Sequence, residues 1–153
     1  MNRSNIIPLA MKYTVTTGAV LIMYFLLMKL LGFETVVELR FINFIILLGG
    51  LRLFILRLKK ENNAALEYLS SLAYGFLVSV LTTVFFAVFI FLYLSFIDKG
   101  MMEHLKVNQP FGEYLTPGSA FLVLILEGCS SGAIISFALV QFMSREGKIS
   151  QAD

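Results

Sequence analysis

The sequence predicts an all-α integral membrane protein whose four transmembrane helices form an antiparallel bundle with both termini cytoplasmic. Three observations predict it. Apolar residues make up 58% of the 153-residue chain and charged ones 14%, with a mean hydropathy of +0.84, whereas soluble domains carry about 25% charged residues. Four long apolar segments, at about 13–31, 41–58, 72–97 and 119–143, alternate with charged or Gly/Pro-bearing stretches, and each is near the roughly 20 residues that a bilayer core requires. Basic residues, finally, divide unevenly between alternate connections. What remains is too short for a soluble domain, so residues 1–153 read as one transmembrane domain.

The first segment follows a short polar leader carrying Arg3 and Lys12. A signal peptide also has a positive start, but this apolar stretch is longer than the usual signal core. No small-x-small cleavage site follows Leu31 before Glu34, so an uncleaved first span is expected.

The second segment contains Asn43, Gly49, Gly50 and Arg52 among 13 Leu, Ile and Phe residues. Each of those is worth roughly −0.3 to −0.6 kcal/mol near the middle of a span, against about +2.5 to +3.5 kcal/mol for a central Arg. The sum favours insertion. The third segment is free of charge for 26 residues and exceeds a roughly 30 Å hydrocarbon core, so it should tilt or begin on the membrane surface. The fourth opens after Pro117 and Gly118, which mark a helix start.

With the first residues placed in the cytoplasm, the inner side holds eight basic residues: Arg3, Lys12, Arg52, Arg57, Lys59, Lys60, Arg145 and Lys148. The outer side holds four, Lys29, Arg40, Lys99 and Lys106. That excess is the positive-inside pattern, strongest in the cluster from Arg57 to Lys60. It places the chain in a bacterial cytoplasmic (inner) membrane with both termini inside. The outer loop 98–118 is the largest soluble piece, and Met101, Met102 and Leu105 would let part of it lie in the interface.

Several chemistries are excluded. Cys129 stands alone, so no intramolecular disulfide or dithiol relay exists within these residues, and the single His104 removes metal motifs built on paired histidines. No Gly-rich phosphate loop is present. No catalytic residues, metal or other cofactor are expected.

The candidate site residues are polar groups at membrane depth. Arg52 lies 11 positions from the outer start of its segment and Glu127 lies 8 from the start of its own, so the two reach similar depth. Intramembrane ionisable residues are costly and mark functional hypotheses by default. One reading is an Arg52–Glu127 pair lining a polar cavity or proton path, with Ser131 bonded to the acid and Asn43 as a further polar candidate. The plainer one has Arg52 snorkelling toward Arg57 and Glu127 protonated within the bundle. Small residues recur every four positions at Gly128, Gly132 and Ser136, and again at Gly75, Ser79 and Thr83. Such stripes permit close helix packing, inside one bundle or across a dimer. The aromatic run from Phe85 to Phe96 is explained by lipid contact and interface anchoring.

A resemblance joins these features. Lys12-Tyr13 with Gly18, then Gly49-Gly50-Leu51-Arg52 with a basic run, then Ala73-Tyr74-Gly75 opening a span that closes at Phe96-Ile97-Asp98 resembles the small four-span inner-membrane proteins of Bacteroidota grouped as domain of unknown function 4199. The likeness extends over nearly the whole chain, although the fourth span, with Glu127 and Cys129, departs from it. It implies no established activity and makes Arg52, Gly75 and Asp98 the positions most like the family's pattern. The expected function is that of a non-enzymatic subunit or scaffold of a membrane complex; the alternative is a small oligomeric transporter or ion carrier using Glu127 and Arg52. Expected partners are the lipid bilayer and a homo-oligomer or larger membrane-protein complex, not nucleic acid.

Overall fold

The computed structural model describes residues 3–32, 40–61, 68–98, 100, 103, 106–107 and 112–149, and among these every regular element is helical. Four helices are long and apolar enough to cross a membrane. They are α1 (Arg3–Leu30), α2 (Arg40–Glu61), α3 (Tyr68–Leu92) and α4 (Pro117–Ile149). A π-helical turn, Tyr93–Ile97, continues α3, and a 3₁₀ turn, Gly112–Tyr114, precedes α4.

The candidate spans are Ile6–Leu30, Phe41–Lys60, Tyr68–Ile97 and Pro117–Met143. The first begins seven residues before the sequence places it. Its supposed polar leader is helical, with Pro8 inside the helix, and Ile6 and Ala10 are buried against Leu51, Phe54 and Leu58 of α2. Sparse apolar residues thus suffice when a neighbouring helix receives them. Met101, Met102 and Leu105, expected in the interface, lie outside the described residues.

The start of α4 follows from local chemistry. Thr116 Oγ1 accepts the Ser119 N–H at 3.1 Å, and Ser119 Oγ accepts the Thr116 N–H at 2.8 Å. This reciprocal cap precedes Pro117, whose missing N–H costs nothing at a first helical position. At the other end of α1, Gly32 has φ +75°, the left-handed conformation in which a helix commonly stops.

Two apolar clusters fill the bundle. One joins Ile6 and Ala10 to Leu47, Leu51, Phe54, Ile55, Leu58, Val78, Ile135 and Val140; the end it occupies is called the base. The other joins Leu21 to Phe86, Ile90, Tyr93 and Leu94, with Phe25, Ile46 and Leu124 packed around them; this end is the top. α3 packs most extensively against α4 and next against α1, while α2 meets α4 along a lighter seam.

Candidate functional site

The closest helix contact is the α3–α4 seam. Ser136 Oγ lies 3.3 Å from where a Cβ on Gly75 would stand. Ser79 fills the space beside Gly132, and Thr83 the space beside Gly128, so neither glycine has room for a Cβ. The two small-residue stripes therefore face each other, in reverse order, each knob seated on a glycine across the seam. Ser79, Thr83 and Ser136 are buried, and the Ser79 and Ser136 hydroxyls have no hydrogen-bond partner among the described residues. Thr82 instead donates to the Val78 carbonyl at 2.7 Å.

Two further close approaches fix the heights of the helices. Thr17 of α1 occupies the space above Gly50 of α2, and the Phe85 ring of α3 covers Gly18 of α1. Both glycines are spaces that a side chain on the facing helix fills.

A polar cluster closes the top. Lys29, in the last turn of α1, donates hydrogen bonds to the Tyr93 hydroxyl and to the Asp98 carboxylate. The Lys29–Asp98 ion pair is partly shielded, with side chains 25% and 26% exposed. Its geometry depends on the π turn. In an α-helix, residues five apart stand roughly 140° apart around the axis. The π turn, closed by the Asp98 N–H on the Tyr93 carbonyl at 3.0 Å, absorbs an extra residue and brings Tyr93 and Asp98 to the same lysine. Tyr93 is held in turn by Phe25 and Phe89, with ring centroids 5.4 and 5.8 Å away.

The small-residue candidates thus meet in the seam, whereas the intramembrane polar candidates fall elsewhere. Arg52 and Glu127 are both exposed on the outside of the bundle, and the ion pair among the described residues is Lys29–Asp98. The Ser131 hydroxyl bonds the Glu127 main-chain carbonyl at 2.7 Å; it turns back on its own helix, as serines in helices do, and does not serve the carboxylate. Asn43 is half-buried near the start of α2, its side-chain oxygen without a partner among the described residues. No group of three His, Cys, Asp or Glu residues able to hold a metal occurs among the described residues. Part of the aromatic run assigned to lipid also packs inward: Phe86 is buried, while Phe85 and Phe91, both exposed on one side, respectively cover Gly18 and pack on Phe121 with centroids 5.9 Å apart.

Neither Lys29 nor Tyr93 stood out in the sequence. Lys29 read as an outer-loop charge and Tyr93 as one more interface aromatic, because the residues that join them are 64 and 69 positions apart.

This arrangement lies mostly within one recognisable segment. The family described as Protein of unknown function (DUF4199) matches residues 12–110. The chain belongs to that family. The DUF4199 segment includes Arg52, Gly75 and the whole Lys29–Tyr93–Asp98 cluster, and it ends before α4, so the likeness covers less than nearly the whole chain. Glu127, Cys129 and one side of the small-residue seam lie beyond it. No curated protein and no solved structure matches the chain.

Proposed function

We propose that this DUF4199 protein is a multi-pass protein of the bacterial inner membrane, with antiparallel spans and both termini cytoplasmic, acting as a non-enzymatic subunit or scaffold of a larger membrane complex. The positive-inside excess supports the orientation, and the reversed order of contacts along the α3–α4 seam supports the antiparallel course.

The observation that carries the subunit reading is the division of α4 into two faces. One is locked to α3 by glycine-seated knobs. The other presents Leu122, Val123, Leu126, Ile134 and Phe137, all exposed. Half of the α3 membrane window is buried, but 22% of that of α4. A helix held so firmly on one side and left so open on the other is suited to receive another membrane helix.

The alternative, an oligomeric carrier using Glu127 and Arg52, draws on two ionisable groups at mid-span. Their place on the outer surface favours a protein contact over a path through one chain.

The test is purification of the tagged full chain in mild detergent with mass spectrometry of bound proteins. The subunit reading expects a stoichiometric partner, lost on changing Leu126 and Phe137 together to Ala. A folded Glu127→Gln protein that loses its cellular role while retaining every partner would overturn it in favour of transport.

A further inference from the structure

We propose that a second copy of this chain covers the groove between α2 and α4, the two copies joined by reciprocal ion pairs between Arg52 of each and Glu127 of the other. The proposal deepens the subunit reading by naming one partner, and it rests on that reading only in placing the helices across a bilayer.

Depth is the first observation. Gly50 stands level with Thr17, Gly18 with Phe85, and Gly128 with Thr83, so all six lie near one plane across the bundle. Arg52 is two residues past Gly50, and Glu127 is one residue before Gly128. The two charges therefore sit within about one helical turn, roughly 5 Å, of a common height. That height is near the middle of the bilayer: Glu127 lies 10 residues, about 15 Å, inside its span's start at Pro117 and farther from Met143. A glutamate side chain is too short to reach a headgroup from there.

Direction is the second. On α2, Gly50 and Phe54 meet Thr17 and Tyr13 of α1. Arg52, at 100° per residue, is turned about 160° from Gly50, to the side away from α1. On α4, Gly128, Gly132 and Ser136 meet α3. Glu127 is turned about 100° from Gly128, on the same side as Ile135, which packs with Leu51, Phe54 and Ile55 of α2. Both charges therefore flank the α2–α4 groove, both are exposed, and they do not pair with each other within the chain.

Symmetry connects the two. Copies inserted with the same orientation are related by a two-fold axis along the membrane normal, and that operation leaves every atom at its own depth. An isologous contact pairs residue i with j and j with i, so reciprocal pairing across this axis requires two opposite charges on one face at one height. Arg52 and Glu127 meet each requirement. The two charges that each copy leaves facing lipid at mid-span are thereby joined as two pairs shielded between copies.

The experiment uses two full-length copies with different tags, co-expressed and captured through one tag in mild detergent. Wild-type copies should co-purify. Arg52→Glu with itself, carrying only acids at these positions, and Glu127→Arg with itself, carrying only bases, should each lose co-purification at least tenfold. Arg52→Glu mixed with Glu127→Arg should restore it, because acid then meets base at both contacts. The milder Arg52→Gln and Glu127→Gln should weaken association without like-charge repulsion, should a reversed charge prevent insertion. Wild-type copies that do not co-purify, variants that leave association unchanged, or loss that mixing does not rescue although both chains accumulate folded would each overturn the proposal. Absence of the second copy together with a stoichiometric different protein would overturn this inference and leave the subunit reading standing.

Discussion

Gly132→Ala tests whether the α3–α4 seam sets the fold. A Cβ at Gly132 would run into the Ser79 hydroxyl and would stand 2.6 Å from the Ser79 Cβ. The second contact is decisive, because rotating the hydroxyl away leaves it in place. Overpacking of this kind costs typically about 1–3 kcal/mol, and contact with a Cβ on a packed helix puts it at the upper end. Replacing a helical glycine by alanine gains about 1 kcal/mol. The expected net loss is about 2 kcal/mol. Gly49→Ala supplies the control, since nothing lies within 4 Å of its added Cβ; the propensity gain should appear there unopposed.

The compensating change is Ser79→Gly. With that side chain removed, the nearest Ser79 atom to the new Cβ is its Cα at 3.9 Å, an ordinary contact. Exchanging knob and hole across the seam should therefore recover most of the loss, with a coupling of at least about 1 kcal/mol in the double-mutant cycle. Reversible unfolding in detergent or bicelles measures all four proteins. If Gly132→Ala falls within about 0.5 kcal/mol of Gly49→Ala, or if the two seam changes simply add, the seam does not carry the packing assigned to it.

Asp98→Asn and Lys29→Met should each lower stability by about 1–2 kcal/mol, between the values for exposed and for buried pairs, with the double variant costing clearly less than their sum in detergent melting. Thr116→Ala removes the oxygen that receives the Ser119 N–H and should cost about 1 kcal/mol, seen as a lower unfolding midpoint, with Ser at the same position restoring most of it. Reporter fusions after Met143 and within 59–63 should read cytoplasmic, and one within 107–113 external; an external signal after Met143 would refute the four-span topology.

The four helices were legible because hydropathy over 20 residues is a strong local signal, and the start of α4 because Pro117 and Gly118 mark it; the Thr116–Ser119 cap around them came only with the structure. The packing was legible only in half. Gly128-x-x-x-Gly132-x-x-x-Ser136 encodes close approach, but a stripe of small residues does not name the helix that will approach it. That the receiving stripe is Gly75-Ser79-Thr83 is a fact of topology. The pairing of Lys29 with Asp98 stayed hidden for a different reason. A charge count treats residues at span ends as interchangeable, and the device that joins these two, a π turn, has no marker in Tyr93-Leu94-Ser95-Phe96-Ile97. Arg52 and Glu127 were found because a charge inside an apolar run is conspicuous. Hydropathy places such a charge by depth alone, and which side of the helix it takes depends on where the neighbours settle.

The extent of the family match bears on how the bundle closes. Residues 12–110 contain the second and third spans and most of the first, and in this chain those three helices do not cover their own buried surface. Ser79 and Thr83 are buried on the side where Gly132 and Gly128 of α4 lie over them. Without α4, a row of hydroxyls and the top of the second apolar cluster would face lipid, which offers hydroxyls no partners and gives no hydrophobic drive to regroup. A chain cut between 107 and 112 should therefore reassemble when 1–110 and 111–153 are co-expressed, the two pieces co-purifying through the α3–α4 seam. Gly132→Ala in the shorter piece should reduce recovery by more than tenfold, since about 2 kcal/mol corresponds to roughly thirtyfold in an association constant. The longer piece alone should be degraded or aggregate. If 1–110 alone accumulates and melts as the whole protein does, the three matched helices close by themselves and α4 is an attachment to a finished bundle.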